Sequence, residues 1–411
     1  EDIESVMGEL SGNDIADGIS EFFESWNELS KDPDSLTVRE SLVEYGKSLA
    51  DILNGVGDQL DQMQTDFDAQ IRAMVDEINS AASRIARLNQ EITADENNGD
   101  NANDCRDELN SLIDTLSEYM DLDVSVDSGG MYRISVNGAN LVNGTSSWDL
   151  TCSINAGNGA YNTVLWEKSG IELKLDSGKL LGLIEVRGDV YGGKESAENG
   201  SPEETGTDEA AVDADSETFN FTGADTNLIP EIKKGLNMLI SLMARKVNAI
   251  QSSGIGLDGS TGVDFFVKIN ENLPFQAGNI KVNSALDDTN KIAASLSGES
   301  GDGSNAALIV DFEEEEYFRY DGVKMNVNDF FSMLIDWIGT KGEEAESFSA
   351  NQSTLLNETY NQKQSLSSVA MDEELTNLLK YQHAYNASAK VMNTIDGMLD
   401  KIINQMGLVG R

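Results

Sequence analysis

The 411-residue chain has one histidine, two cysteines and only 28 basic residues against 73 acidic ones, a formal charge of −45. The shortage of Lys and Arg excludes nucleic acid as a partner, because phosphate neutralisation needs clustered cations. It disfavours anionic membrane surfaces for the same reason. His383 with Cys105 and Cys152 cannot make an ordinary structural zinc site. The two cysteines fall in a segment read as helix and one read as strand, and two residues do not form a disulfide framework. No apolar run approaches the ~18–20 residues of a membrane-spanning helix. The opening "EDIESVMGEL" has no initiator methionine and no signal peptide. The expectation is a fragment whose true N-terminus lies upstream.

What remains is 39% hydrophobic and 25% charged residues, enough for real cores and for two to four domains. The charge keeps separate copies apart, so self-assembly has to rely on apolar or closely matched contacts.

The strongest periodic signal begins after Asp32-Pro33, where a first helix carrying Phe22, Phe23, Trp26 and Leu29 is expected to stop. Asp34 or Ser35 is placed to cap the next helix. Apolar residues then step by threes and fours from Val38 through Leu49, Leu60, Ile71 and Ile85 to Ile92. This heptad stripe predicts a continuous helix of about 80 Å. A shorter helix from Asp104 to Tyr119 is expected to fold back on it, with Leu109, Leu112, Ile113 and Leu116 inward.

Near Leu122 the pattern changes to alternation, with Asn137-Gly138 at a hairpin turn. "WDLTCSIN", "TVLWE", "IELKL" and "LLGLIEVRG" read as further strands. Glu195 to Glu217 holds nine acids and no bases and reads as a solvated loop. Helix returns from Pro230 to Ser252 and again near Asp329. There Phe330, Leu334, Trp337, Phe348 and Leu355 are expected to be buried, with possible breaks at Gly339 and Gly342, and this helix is expected to join the long one in an antiparallel bundle. The fold class is therefore α+β: a long helical coiled-coil bundle formed by both chain ends, with an inserted β-rich domain. The expected divisions are residues 1–122 for the N-terminal half of a helical rod domain, 123–226 for the outward-facing insertion, 227–366 for its completion and 367–411 for a C-terminal helix.

Chemistry is hard to find. "GIGLDG" (Gly254 to Gly259) matches a dinucleotide fingerprint in letters, but a helix precedes it and no helix follows; it reads as a turn. "DFEEEEYF" (Asp311 to Phe318) lacks the spacing of a calcium loop and reads as a solvated edge or loop. His383 reads as a helix-surface residue. No catalytic residue, cofactor or metal is assigned.

The informative stretch is the terminal one. Leu375, Leu378, Leu379, Tyr385, Met392, Ile395, Leu399, Ile402 and Met406 form a stripe with no evident partner in the chain, which is how a docking surface reads. "NLLKYQHAYNASAKVMNTIDGMLDKIINQMG" resembles the shared C-terminal segment of bacterial flagellar axial proteins. "FFESWNELSKDPDSLTVRESLVEYGKSLADILN", "EINSAASRIARLNQEI" and "IPEIKKGLNMLISLMARKVNAIQSSGIGLDG" resemble the hook-associated protein 1 family. The resemblance covers roughly residues 1–125 and 227–411. It implies a structural, non-enzymatic subunit of a junction ring between hook and filament. It also implies export through the flagellar type III apparatus and an extracellular place in the flagellum. The implied partners are hook protein, hook-associated protein 3, other copies of the same subunit, and an export chaperone that binds the C-terminal helix. An upstream segment pairing with that helix is implied as well. The alternatives are another axial protein (hook-associated protein 3 or hook protein) and a secreted adhesin on a helical stalk.

Overall fold

A computed structural model describes residues 15–154, 161–188, 219–221, 227–367 and 371–400. The chain divides into two compact units, Glu1–Thr340 and Lys341–Arg411.

Within the first unit, helix α1 (Ile15–Lys31) presents Phe22, Phe23, Trp26 and Leu29 to the core, all buried. It ends just before Pro33. Ser35 then caps α2, its hydroxyl accepting from the Val38 N–H. Helix α2 (Leu36–Asn97) runs unbroken for 62 residues, about 90 Å at 1.5 Å per residue. Helix α3 (Asn103–Tyr119) turns back along it with Leu109 and Leu116 buried. Arg106 pairs with Glu96, Arg84 with Glu108, and the Tyr119 hydroxyl donates to Glu77. Partners that rise in one helix as they fall in the other are the mark of an antiparallel pair.

The long helix serves two separate apolar cores. Its first half, through Leu60, joins α1, α5 (Leu228–Ser253), α6 (Ser304–Glu314) and the start of α7 (Val327–Ser367). Phe22 sits 5.5 Å, ring centre to ring centre, from both Phe265 and Phe266. Its second half, Ile71 to Ile92, buries Ile134, Val136, Leu141, Val142, Leu150, Val164 and Leu180.

Those residues belong to two small sheets and a helix. Strands β1 (Asp123–Val126), β2 (Tyr132–Val136), β3 (Ala139–Asn143) and β4 (Ser146–Ser147) form an antiparallel sheet in that order. The expected hairpin turn joins β2 to β3, with Asn137 and Gly138 at φ 47° and 79°, the left-handed pair such a turn needs. Strands β5 (Leu150–Ile154) and β6 (Asn162–Trp166) form a second antiparallel pair. Helix α4 (Lys179–Arg187) completes this layer.

Closer to the first core, β7 (Phe219–Phe221) runs parallel to β10 (Phe318–Tyr320), which pairs with β11 (Val323–Met325). β8 (Phe266–Val267) pairs with β9 (Lys281–Val282).

Several expectations need correction. "LLGLIEVRG" is helix α4, not a strand; in so short an apolar run periodicity cannot separate the two. "IELKL" contributes only an isolated bridge from Glu172 to Leu165. Asp311 to Glu314 ends α6 with Phe312 buried, which was not expected, while Glu314, Glu315 and Glu316 are exposed and the last two lie in the loop beyond the helix, as a solvated edge or loop should be. Helix α7 passes through Gly339 and Gly342 without a break. Phe348 and Leu355, expected in the core, are 65% and 57% exposed. Only the first turns of α7 (Val327, Phe330, Phe331, Leu334, Trp337 and Ile338) are buried, so the expected three-helix packing along α2 is not seen in the first unit. The acidic segment 195–217 lies outside the described residues.

Candidate assembly surface

The second unit contains the end of α7 and helix α8 (Met371–Asp400). Every described residue from 342 to 365 and from 375 to 399 is exposed. Seven of the nine stripe residues lie in α8: Leu375, Leu378, Leu379, Tyr385, Met392, Ile395 and Leu399, between 48% and 76% exposed. Ile402 and Met406 lie outside the described residues. Tyr381, Val391 and Met398, which the stripe omits, are also exposed.

The spacing has a geometric consequence. Leu378, Tyr385, Met392 and Leu399 are each seven residues apart on one continuous helix. On a straight helix such a row drifts by about 20° per heptad, so a partner helix that follows it must supercoil with a left hand. Between Tyr385 and Met392 the same face carries Ser388 and Ala389, small enough for close approach of a neighbouring helix.

Electrostatics single out the same segment. Residues 375–399 contain Lys380, Lys390 and Asp396 and no other charged residue, so two cations against one anion give +1, in a chain of −45. This stretch can approach another copy without the repulsion that the rest of the surface imposes. His383 lies exposed on the same helix with no polar partner among the described residues, as a surface residue should.

The first unit supplies rigidity, and here the sequence hid most of the machinery. Polar side chains on the long helices clasp the backbone of segments laid against them. The Asn79 amide accepts from the Leu150 N–H and donates to its carbonyl, both at 2.8 Å. Asn89 does the same with Tyr132 and also reaches the Gly144 carbonyl. Asn248 clasps Phe266, again at 2.8 Å each way. Arg39, buried at 1% exposure, donates to the carbonyls of Pro33, Thr289 and Ile292 at 2.7–3.0 Å. Burial lowers the pKa of its guanidinium from the ordinary value, against the opposing pull of Asp34.

Among the described residues no group of three or more His, Cys, Asp or Glu could hold a metal ion, and no helix is long and apolar enough to cross a membrane. Cys105 and Cys152 are both free. Burial is the leading cause that raises each thiol above its usual range, which disfavours the thiolate form. Gly254 to Gly259 forms the turn that ends α5, as expected, with the Gly259 N–H donating to the Gly256 carbonyl.

The sequence pattern of the flagellar hook-associated protein FlgK helical domain matches residues 1–266, well over half of the chain. The chain belongs to the flagellar hook-associated protein FlgK family. The C-terminal pattern of the flagellar basal body rod FlgEFG proteins matches residues 362–406, the stretch that contains α8. Flagellar hook-associated protein 1 of Bacillus subtilis is 28% identical over the whole of this chain and 80% of its own length. Its namesake from Escherichia coli is 24% identical over 97% of this chain and 82% of its own. The flagellar hook junction protein FlgK from Burkholderia pseudomallei has a similar fold, with a TM-score of 0.67 over 90% of this chain at 14% identity. Membership in the FlgK family makes this a structural component of the flagellum at the hook–filament junction and sets aside the two other axial proteins considered from the sequence.

Proposed function

We propose that this subunit enters a ring between hook and filament by docking the α8 stripe onto helices of neighbouring subunits. The observation that carries the proposal is the run of large apolar residues from Leu375 to Leu399, exposed on a stretch of helix whose only charges are Lys380, Lys390 and Asp396. A folded chain leaves such a surface open when something outside it is to cover it. Burying a Leu or Met from this row contributes about 1.5–3 kcal/mol per side chain. A few such rows per subunit can therefore outweigh the repulsion between acidic copies.

In this reading the neighbours are hook protein on one side, hook-associated protein 3 on the other and further copies of the chain within the ring. Before assembly an export chaperone covers the C-terminal helix, and the chain leaves through the flagellar type III apparatus to work outside the cell. Residues 1–122 and 227–366 form the rod domain, 367–411 the axial-core helix and 123–226 the outward-facing insertion. The role is mechanical and involves no catalysis. Deleting the gene and scoring motility and filament attachment tests it: cells should keep hooks and shed or lack filaments. Normal filaments without the protein would refute the junction role.

A further inference from the structure

The β-rich layer carries a cleft of about 500 Å³ in which two tryptophans, Trp148 and Trp166, line the wall. Both rings are half-buried, so each keeps an open surface. Among the described residues neither indole N–H has a hydrogen-bond partner. Their backbones are held in place: the Trp148 N–H donates to the Leu141 carbonyl and the Trp166 N–H to the Ile171 carbonyl, both at 2.9 Å. The Glu167 N–H closes the rim onto the Asp149 carbonyl at 3.0 Å. The cleft is therefore formed before any ligand arrives, which lowers the ordering cost of binding.

Its charged lining is balanced. Asp149 and Glu172 stand against Lys168 and Lys174, a sum of zero on a chain of −45. Among the described residues neither carboxylate makes a hydrogen bond or ion pair. Lys168 reaches only the Trp148 ring, 5.9 Å from its centre. The amides of Asn137 and Asn140 add donors and acceptors at the hairpin turn.

We infer that this cleft binds a neutral saccharide. Apolar C–H faces of a sugar ring stack on indole, while its ring of hydroxyls needs closely spaced donors and acceptors on the rim; the cleft offers both. A polyanion is disfavoured by the two carboxylates and by the charge of the chain. A peptide adding as a strand is disfavoured too. The free edge of β6 is already occupied where Leu165 bridges Glu172 and the Leu173 N–H donates to the Val164 carbonyl.

The test follows the indole N–H resonances of the ¹⁵N-tryptophan-labelled chain during titration with cellotetraose, mannotetraose, chitotetraose and, as an acidic control, tetragalacturonate, each to about 10 mM, ten times a millimolar Kd. At least one neutral saccharide should shift Trp148 and Trp166 saturably while the buried Trp26 and Trp337 stay still. Trp148→Ala and Trp166→Ala should each weaken that binding about tenfold or more. Should either lose its fold, Asp149→Asn and Glu172→Gln each replace one charged acceptor oxygen on the rim by an NH2 donor without touching the core and should weaken it instead. No shift with any neutral saccharide, undiminished binding in the variants, or tighter binding of the galacturonate would overturn the inference.

Discussion

The Arg187 guanidinium donates to the Asp68 carboxylate at 2.7 Å, with both side chains only 3% exposed and 119 residues apart in the chain. They meet where the two apolar cores of the long helix give way to each other, between Leu60 and Ile71. Asp68 also accepts from the Asn162 N–H, the Asn162 amide and Arg72. Gln64 ties the same point to the Arg187 carbonyl at 2.7 Å. Burial alone would raise the Asp68 pKa, but the hydrogen bonds from Asn162 and Arg72 and the Arg187 charge outweigh it and leave the carboxyl below its ordinary range. One polar knot thus locks α4 and β6 onto the middle of α2.

Cutting the knot should therefore be costly. Arg187→Met removes the buried counter-charge of Asp68, leaving it only the exposed Arg72, and is expected to destabilise the chain by about 3–5 kcal/mol. The check is urea unfolding. A loss under about 1 kcal/mol would mean that water reaches the site freely.

The same residue gives a pH signature. A carboxyl whose folded pKa lies below its unfolded value stabilises the fold above the unfolded value, about 3.9, and that contribution is lost as pH falls through the folded one. Stability should therefore drop below about pH 4. Asp68→Asn should make that acid limb shallower, as read from thermal melts between pH 3 and 7. An unchanged limb would assign acid sensitivity to other carboxylates.

Two glycines on α2 should respond with opposite signs. A Cβ on Gly57 would lie 2.6 Å from the Ala277 backbone, whereas one on Gly55 meets nothing within 4 Å. Gly55→Ala should stabilise by about 0.5–1 kcal/mol through helix propensity. Gly57→Ala should destabilise by about 1–3 kcal/mol despite the same propensity gain. Equal shifts would show that the 277–278 segment is not seated on the helix.

The backbone clasps allow a further comparison. Asn248→Leu retains bulk but leaves the Phe266 N–H and carbonyl unpaired, and should cost about 1–3 kcal/mol. Hydrogen exchange at the Phe266 amide should rise sharply in the variant. Unchanged protection there would mean that the clasp is redundant.

How far the sequence disclosed all this depends on the kind of interaction. The 62-residue helix was legible because its apolar residues repeat at threes and fours without fault, and Ser35 and Pro33 mark its start. Helix α4 was not, because a nine-residue apolar run has no readable period. Periodicity also names a face without naming its cover, so Phe348 and Leu355 looked like core. Asn79, Asn89 and Asn248 were invisible for the opposite reason: a polar residue on a helix reads as solvent-facing until a strand edge is placed on it. The Asp68–Arg187 pair needed the tertiary path, since nothing local links the two. The terminal stripe was legible as a pattern, and seven of its nine residues are exposed on α8.

The central claim is that this stripe is an assembly surface. Ile395 and Leu399 lie one turn apart on α8, 49% and 48% exposed. The decisive measurement compares the Ile395→Asp/Leu399→Asp double variant with the unaltered protein, scoring both melting temperature of the isolated chain and filament attachment in cells. Stability should change by less than about 1 kcal/mol, as for surface positions, while filaments are lost because two unpaired carboxylates would have to be buried on docking. Normal filaments, or a collapse of the melting temperature, would contradict the claim.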